Sequence, residues 1–453
     1  MTRHVAVIDI GKTNAKLALV NRDTLTEIDV VTQPNRVRPG PPYPRFDTEG
    51  HWNFVLAGLR DFHARHGIDA ISITTHGACA ALLAADGTLA APVLDYEHDG
   101  PHATAAAYTA LRPDFAETGS PRLALGLNLG AQLHWQFARD PGLLARTAQL
   151  VTWPQYWGHR LTGVTATDLC SLGCHTDLWN PAQGALSSLV GRLGLAGKIA
   201  APRKPSDILG PILPAIAAAT GLVPGTPVAC GIHDSNASLL PHLLARAAPF
   251  AVVSTGTWVV TMAVGGSAPP MDAARDTLIN VDAFGAPVRS ARFMGGREYE
   301  VIRHGESPAA TPGDMAQVLR DRIMLFPTVE PSSGPFPGRQ AEWTQPEPQG
   351  GARMAALAFY LALMTAECLA ITGADGPVIV EGPFAQNELY CAMLAVATGR
   401  AVQRAGSQTG TSIGAALLFG PPARPVKVDP VADPQHRPAM QAYAAEWRGR
   451  VGA

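Results

Sequence analysis

Two stretches of this 453-residue chain share one pattern, in which an apolar run is followed by a polar turn around a glycine and a second apolar run. The first stretch spans residues 5–20 and the second spans residues 250–264. Short apolar runs on either side of a glycine turn are typical of β-hairpins. Aligned glycine on glycine, residues 9–13 (DIGKT) match residues 254–258 (STGTW). A repeat of this kind, half a chain apart, predicts two related α/β halves.

The predicted boundary between the halves lies near residues 245–249. We expect an N-terminal domain over residues 1–245, a C-terminal domain over residues 246–425 and a tail over residues 426–453. The tail is rich in proline and charge, so it is expected to lie on the surface. Residues 31–47, rich in proline and arginine, are expected to form an irregular surface loop.

Composition excludes several classes of function. The formal net charge is -2 with no block of like charges, which argues against a nucleic-acid partner or an anionic membrane surface. The most apolar window, residues 354–366, is shorter than the ~20 residues that cross a membrane, so it is expected to be a buried helix. The first apolar run is too short for a signal peptide, and six scattered cysteines fit reduced thiols in a cytoplasmic protein.

Asp234 is the first candidate for chemistry. Residues 228–230 predict a buried strand that breaks at Gly231, and the apolar spacing from Ser235 onward predicts a helix. Asp234 would then stand at a helix N-terminus, where backbone N–H groups favour the ionised carboxylate. Such a carboxylate can act as a general base, although capping the helix would account for it equally well.

The two predicted hairpin turns are candidate phosphate sites. Gly11 and Gly256 allow close approach of a ligand to the backbone, and backbone N–H groups of a turn can cradle phosphate oxygens. Hydroxyl donors and positive charge accompany them, at Thr13, Thr255, Thr257, Lys12 and Lys16. Asp9 could hold Mg²⁺, which takes one or two carboxylates together with nucleotide phosphates, or it could simply begin the turn.

Paired phosphate turns with one carboxylate for a metal and another for a base describe phosphoryl transfer from a nucleotide to a hydroxyl. The sequence contains no GxxxxGK[ST] motif, none of the protein-kinase motifs and no dinucleotide-binding glycine pattern after a strand.

Four motifs in order resemble the FGGY family of carbohydrate kinases: residues 9–16 (DIGKTNAK), 231–237 (GIHDSNA), 254–258 (STGTW) and 381–383 (EGP). The resemblance covers residues 5–420 and looks closest to the rhamnulokinase and fuculokinase branch. It implies an α/β fold of two actin/hexokinase-like (ribonuclease H-like) domains with a cleft between them. It also implies ATP and Mg²⁺ as cofactors and a small ketose as substrate.

The resemblance assigns roles to individual positions. Asp234 would be the catalytic base, and Asp9 and Asp234 would be the metal ligands. The nucleotide would meet Gly11, Thr13, Asn14, Lys16, Thr255, Gly256, Thr257, Gly382 and Asn387. The sugar would meet His76, Gly77, Asp95, His233 and Asp234.

Departures from the family pattern leave the sugar open. Cys79 stands where rhamnulokinases carry an aspartate, residues 76–78 (HGA) look like the xylulokinase pattern, and Pro383 replaces a usual glycine. We expect an ATP-dependent kinase for an L-rhamnulose-, L-fuculose- or xylulose-like ketose. The alternative is a catalytically weak sugar or nucleotide sensor on the same fold. A homodimer is also left open.

Overall fold

The computed structural model describes residues 2–406, 410–421 and 428–452. These residues form two compact units. The first contains the described residues of 1–245, 279–287 and 409–426, and the second contains those of 246–278, 288–408 and 427–453.

In chain order the strands are β1 (His4–Ile10), β2 (Asn14–Asn21), β3 (Thr26–Pro34), β4 (Val37–Arg38), β5 (Arg45–Phe46), β6 (Ala70–Thr75), β7 (Ala80–Leu83), β8 (Gln149–Thr152), β9 (Thr167–Asp168), β10 (Trp179–Asn180), β11 (Ala185–Leu186), β12 (Pro202–Arg203), β13 (Ile208–Pro211), β14 (Pro227–Ala229), β15 (Ile232–His233), β16 (Phe250–Thr255), β17 (Val259–Val264), β18 (Thr277–Val281), β19 (Pro287–Phe293), β20 (Leu325–Phe326), β21 (Glu342–Trp343), β22 (Val378–Glu381), β23 (Val402–Ala405) and β24 (Val428–Pro430).

The α-helices are α1 (Thr48–His66), α2 (Ala105–Leu111), α3 (Phe115–Thr118), α4 (Leu129–Arg139), α5 (Leu143–Arg146), α6 (Trp153–Thr162), α7 (Leu169–Leu172), α8 (Ser188–Arg192), α9 (Pro214–Thr220), α10 (Asp234–Ala245), α11 (Gly295–Arg303), α12 (Pro312–Asp321), α13 (Gly350–Ile371), α14 (Glu388–Thr398), α15 (Gly410–Ala416) and α16 (Arg437–Val451). Short 3₁₀ helices span Gly100–Thr104, Ala273–Arg275, Pro383–Gln386 and Leu417–Phe419.

The first unit is built on a sheet whose strands run in the order β13-β14-β6-β1-β2-β3. Strands β1, β2 and β3 pair antiparallel, whereas β6 runs parallel to both β1 and β14. Strand β1 is apolar from Val5 to Ile8 and fully buried there, as expected for a central strand that is covered on both faces. Asp9 follows near its C-terminal end, beside Thr74 of the parallel strand β6.

Helix α15 belongs to this first unit although it lies near the end of the sequence. It packs against α10 so closely that a Cβ added to Gly414 would lie 1.7 Å from the carbonyl oxygen of Ala237. Ser72 of β6 donates a hydrogen bond from Oγ to the carbonyl oxygen of Ala415, at 2.7 Å. The helix that begins at Asp234 is therefore held by a segment from the far end of the chain.

The second unit repeats the same sheet. Its central strands run in the order β19-β17-β16-β22-β23, with β16, β17 and β19 antiparallel and β22 parallel to both β16 and β23. The order and directions match those of β3-β2-β1-β6-β14. Two sheets of equal topology are what the repeated hairpin predicted.

The apolar window at residues 354–366 lies inside α13. The helix reaches 22 residues, long enough by length and composition to cross a membrane, but 83% of its most apolar window is buried within the protein. Its side chains form the centre of the second unit's core. The prediction of a buried helix is confirmed.

Two other expectations are corrected. The predicted irregular loop over residues 31–47 is wrong in part: residues 31–34 are the end of β3, whose side chains alternate between half-buried and exposed along the outer strand of the sheet. Strands β4 and β5 also lie within that range and pair with each other. The expected surface tail is also wrong, because β24 pairs with β23 and α16 buries Met440, Tyr443 and Trp447. The indole of Trp447 donates a hydrogen bond to the carbonyl oxygen of Leu325 at 2.8 Å. The predicted boundary at residues 425 and 426 lies outside the described residues.

Candidate active site

The turn between β1 and β2 is braced from inside the fold. The backbone N–H of Gly11 donates to the carbonyl oxygen of Asn14 at 2.9 Å, and the backbone N–H of Asn35 donates to the carbonyl oxygen of Thr13 at 2.8 Å. The Asn35 side chain donates a further hydrogen bond to the carbonyl oxygen of Gly11, also at 2.8 Å. Thr13 and Asn14 are exposed. The turn therefore combines a fixed backbone with side chains that a ligand can reach.

His76 and Gly77 follow β6, beside the short strand β15 that carries His233. His76 is 6% exposed and packs against the rings of Phe46 and Tyr96, with ring centroids 5.1 and 5.3 Å away. Burial lowers the pKa of His76 to about 4, so its imidazole is neutral near pH 7. A Cβ on Gly77 would lie 2.7 Å from Nε2 of His233, so glycine is what lets that ring lie against the backbone.

Asp234 begins α10 directly after β15. Its Oδ1 accepts hydrogen bonds from the backbone N–H of Ser235 at 2.6 Å and from the Ser235 hydroxyl at 3.3 Å. The side chain is 35% exposed, and its second oxygen has no partner among the residues that the structure describes. One anchored oxygen and one free oxygen at a helix N-terminus suit a group that accepts a proton from a bound hydroxyl.

A buried thiol supports Asp234 through His233. Nε2 of His233 lies 3.3 Å from Oδ1 of Asp234 and 3.5 Å from Sγ of Cys174. Burial favours the neutral imidazole, but the charges of Cys174 and Asp234 together raise the pKa of His233 to about 10. The Cys174 thiol is also buried, yet His175 and His233 lower its pKa to about 5. Each group thus favours the charged form of the other, and a protonated His233 would place a positive charge next to Asp234.

Asp9 lies close enough to Asp234 for the two charges to interact. Burial raises the pKa of Asp9 to about 7, Lys16 opposes that rise, and the charge of Asp234 adds to it. Lys16 Nζ lies 3.7 Å from Oδ2 of Asp9 and 3.1 Å from Oε1 of Glu27. Two carboxylates that repel each other would be relieved by a divalent cation, and oxygen donors suit Mg²⁺. Asp9 and Asp234 thus fit a magnesium site, although no cluster of three or more metal-ligating residues occurs within the described ranges.

Lys12, in the same turn, points to different partners. Its Nζ forms an ion pair with Oδ1 of Asp95 and lies 3.0 Å from Oε2 of Glu97. It also lies over the rings of Tyr96 and Phe46, 4.8 and 5.3 Å from their centroids. Asp95 is therefore near the turn, bound to a lysine that the sequence had grouped with the phosphate-binding residues.

In the second unit, the turn between β16 and β17 carries Thr255, Gly256 and Thr257. The hydroxyl of Thr255 donates to the carbonyl oxygen of Glu381 and accepts from the backbone N–H of Phe384 at 3.1 Å, so it is engaged within the fold. Gly256 and Thr257 are exposed. Of the three predicted residues, these two are accessible to a ligand, and Thr257 offers its side-chain hydroxyl.

Two neighbouring cavities open beside this turn, of about 480 and 600 Å³. Tyr299, Pro383 and Asn387 line both of them. Gly382, directly before Pro383, has a φ of 79°. A Cβ on Gly382 would lie 2.0 Å from the carbonyl oxygen of Thr255. Gly382 thus shapes the turn, while Asn387 lines the cavities and also caps α14 by accepting a hydrogen bond from the backbone N–H of Tyr390.

Sequence reasoning missed the helix that closes the first cavity. The start of α11 contributes Gly296, Arg297, Tyr299 and Glu300 to its lining. A Cβ on Gly296 would lie 2.0 Å from the carbonyl oxygen of Gly256, so the helix approaches the turn as closely as backbone allows. The available signal was Gly295-Gly296 between a strand and a helix, followed at once by an arginine. Cys174 was also missed as a partner of His233, since 59 residues separate the two.

Comparison with known proteins agrees with this geometry. Residues 4–241 match the sequence profile of the FGGY family of carbohydrate kinases, N-terminal domain, and residues 247–427 match that of the carbohydrate kinase FGGY, C-terminal domain. A crystal structure of a carbohydrate kinase from Novosphingobium aromaticivorans is 36% identical, with a TM-score of 0.93 over 100% of this chain and 99% of that one. A search of curated protein sequences gave no match.

More distant structures share the fold. A ligand-bound xylulose kinase from Lactobacillus acidophilus is 14% identical, with a TM-score of 0.79 over 100% of this chain and 99% of that one. A glycerol kinase from Plasmodium falciparum, crystallised with ADP, is 11% identical, with a TM-score of 0.79 over 100% of this chain and 98% of that one.

Fold and profiles together define a phosphotransferase that acts on a carbohydrate. The chain belongs to the FGGY family of carbohydrate kinases. The predicted two-domain fold of actin/hexokinase-like sugar kinases is confirmed. The predicted rhamnulokinase and fuculokinase branch is not confirmed, because the matched structures include xylulose, gluconate and glycerol kinases.

Proposed function

We propose that this carbohydrate kinase transfers the γ-phosphoryl group of MgATP to a hydroxyl of a small neutral ketose of the L-rhamnulose, L-fuculose or xylulose type. The observation that carries the proposal is the Asp234 carboxylate, which has one oxygen fixed by Ser235 and one free. The free oxygen would take the proton from the attacking hydroxyl as the phosphorus–oxygen bond forms. General base assistance of this kind contributes about 10²–10⁴-fold to a rate.

The charges around Asp234 favour a neutral substrate over a sugar acid. Carboxylates outnumber the lysines in this cluster of the first unit, which contains Asp9, Glu27, Asp95, Glu97, Asp234, Lys12 and Lys16. At a separation of about 6 Å and an effective dielectric constant of about 20, two like charges repel by roughly 3 kcal/mol, or about 100-fold in affinity. An aldonate should therefore be a poor substrate, although a gluconate kinase shares the fold.

Asp9 and Asp234 would hold the magnesium ion that accompanies the nucleotide. Bound there, Mg²⁺ would neutralise negative charge on the phosphate oxygens. The exposed side chains of Thr13 and Asn14 and the ammonium of Lys16 supply hydrogen-bond donors to phosphate from the first unit. In the second unit the exposed Thr257 offers its hydroxyl as a donor, whereas the N–H of Gly256 is bonded to the carbonyl oxygen of Trp258 at 2.9 Å.

The two cavities of the second unit suit a nucleotide. Arg297 lines the smaller cavity and is 59% exposed, which suits a group that meets phosphate. The larger cavity is lined by Met315, Met354 and Leu389 together with Gln386 and Asn387. Apolar walls with a few polar groups suit the flat ring and polar edge of an adenine base.

A panel assay tests the proposal. Purified protein is incubated with MgATP and D-xylulose, L-rhamnulose, L-fuculose, glycerol or D-gluconate, and ADP release is coupled to NADH oxidation. We expect turnover on at least one ketose and at least tenfold lower kcat/KM on gluconate. Asp234→Asn should lower kcat by about 10²–10⁴-fold on the best sugar. Preferred turnover of gluconate, or near-normal rates of Asp234→Asn on the best sugar, would contradict the proposal.

A further inference from the structure

The two lysines of the first turn serve two different environments. Lys16 Nζ faces Asp9 and Glu27, beside the carboxylate that fits magnesium. Lys12 Nζ lies instead against Asp95 and Glu97, over the Tyr96 ring. Although the turn as a whole fits phosphate, the ammonium of Lys12 therefore belongs with the aromatic cluster around His76.

The ammonium of Lys12 has one donor left. A lysine ammonium carries three N–H donors. Asp95 accepts one of them and Glu97 forms an ion pair with the ammonium at 3.0 Å, so no more than two are engaged, and no third acceptor occurs among the described residues. The side chain is 20% exposed, so the third N–H is available to a ligand.

His76 offers the complementary group. Its Nδ1 lies 2.8 Å from the carbonyl oxygen of Gly77. A carbonyl oxygen only accepts, so Nδ1 carries the proton and Nε2 is a bare acceptor of the neutral imidazole. Nε2 is buried and has no hydrogen-bond partner among the described residues. An unsatisfied buried acceptor is costly, and a hydroxyl that donates to it would remove that cost.

The spare donor and the spare acceptor flank the same two aromatic rings. The centroid of the Tyr96 ring lies 4.8 Å from Lys12 Nζ and 5.3 Å from the centroid of the His76 ring. The centroid of the Phe46 ring lies 5.3 Å from Lys12 Nζ and 5.1 Å from the centroid of the His76 ring. The charges of Lys12 and Asp234 both act on His76. All of these groups therefore belong to one locus next to the candidate base.

We propose that Lys12 and His76 form a donor–acceptor pair that recognises a hydroxyl of the sugar, making Lys12 a specificity-determining residue for the sugar rather than a phosphate ligand. The hydroxyl donates its proton to Nε2 of His76 and accepts the third N–H of Lys12. It is not the hydroxyl that is phosphorylated, because a hydroxyl has one proton and that proton goes to Asp234. The inference rests on the proposed function and extends it to the recognition of the sugar.

Lys12→Met and Lys16→Met separate the two environments. Steady-state kinetics are measured with the best ketose of the panel, varying sugar and ATP independently, with the exposed Lys204→Met as a neutral control. We expect Lys12→Met to raise the sugar KM by 10–100-fold with the ATP KM within twofold of wild type. Lys16→Met should show the reverse pattern. The inference is overturned if Lys12→Met raises the ATP KM as Lys16→Met does, or changes neither KM.

His76→Phe tests the shared hydroxyl with deoxy analogues of the same sugar. Wild type should reject one deoxy analogue by at least 100-fold in kcat/KM, because the analogue leaves Nε2 unpaired. His76→Phe should reduce that ratio below tenfold, and the double variant with Lys12→Met should cost less than the two single losses combined. Fully additive losses, or an unchanged ratio, would overturn the pair.

Melting curves accompany every variant, and Lys12→Gln replaces Lys12→Met if the latter unfolds. If wild type phosphorylates no member of the panel, the proposed function fails. Calorimetric titration of the same ketoses then tests the pair by itself. It is overturned if wild type binds none of them, or if Lys12→Gln and His76→Phe bind as wild type does.

Discussion

Adding one methyl group at Gly414 should disturb catalysis from the far side of α10. The Cβ of Gly414→Ala would lie 1.7 Å from the carbonyl oxygen of Ala237, whereas real Cβ atoms essentially never approach within 3.0 Å. Helices α15 and α10 must therefore separate by about 1 Å or more, and such overpacking costs about 1–3 kcal/mol. The better helix propensity of alanine returns about 0.5–1 kcal/mol. The net cost of up to about 2.5 kcal/mol lowers the melting temperature by up to roughly 10 °C.

The larger effect should appear in turnover, because α10 begins with Asp234. A displacement of about 1 Å at a reacting group can cost about 100-fold. The assay compares melting temperature and kcat of wild type, Gly414→Ala and a control, Gly449→Ala. Gly449 is exposed within α16 with open space around its Cβ position, so the control should keep wild-type values. Wild-type stability and turnover in Gly414→Ala would refute the reasoning.

Three further outcomes follow from buried charges. Cys174→Ala removes the thiolate that raises the pKa of His233, so the alkaline limb of the kcat/KM profile should move to lower pH, and an unmoved limb would contradict the imidazolium–thiolate pair. Asp9 has a pKa of about 7 against 3.8 in the unfolded chain, so without metal the free energy of unfolding should decrease as the pH rises from about 4 to about 7. Mg²⁺ should stabilise wild type mainly above pH 7, where Asp9 is ionised. Asp9→Asn should abolish both effects in thermal melts with and without Mg²⁺. Buried Glu298, whose pKa burial raises to about 7, accepts a hydrogen bond from Tyr360 at 3.0 Å. Glu298→Gln should unfold at higher denaturant concentration than wild type at pH 8 and at a similar concentration at pH 4, and a less stable variant at pH 8 would contradict this.

The sequence predicted the features that local pattern controls. The two hairpins, the helix that begins at Asp234 and the buried helix α13 each have short-range apolar spacing that admits one interpretation. The C-terminal segment defeated the same reasoning. Met440, Tyr443 and Trp447 recur at helical spacing, but α16 is short of other apolar residues and follows a proline-rich stretch, so its burial depends on a core contributed by other elements.

The candidate site divides in the same way. Asp9, Asp234 and His76 stand beside strand ends and turns that can be located from sequence. The partners of Lys12 could not be, because Asp95 lies 83 residues away and only the folded chain brings it to the turn. The hydroxyl of Thr255 donates a hydrogen bond to the carbonyl oxygen of Glu381, 126 residues later, and no local sequence pattern predicts that bond.

The position of α15 has a consequence for how the protein is made. Ser238 of α10 lies beside Thr411 of α15, their hydroxyl oxygens 3.1 Å apart, although 173 residues separate them. At a translation rate of about 5–20 residues per second, α10 emerges roughly 10–35 s before α15, which packs on it. Until then, the apolar face that Ala237 and Leu240 share with Ile413 is uncovered. A fragment ending at residue 245 would leave the ribosome with that apolar face permanently exposed. A fragment extended through residue 421 would contain α15, which packs on that face.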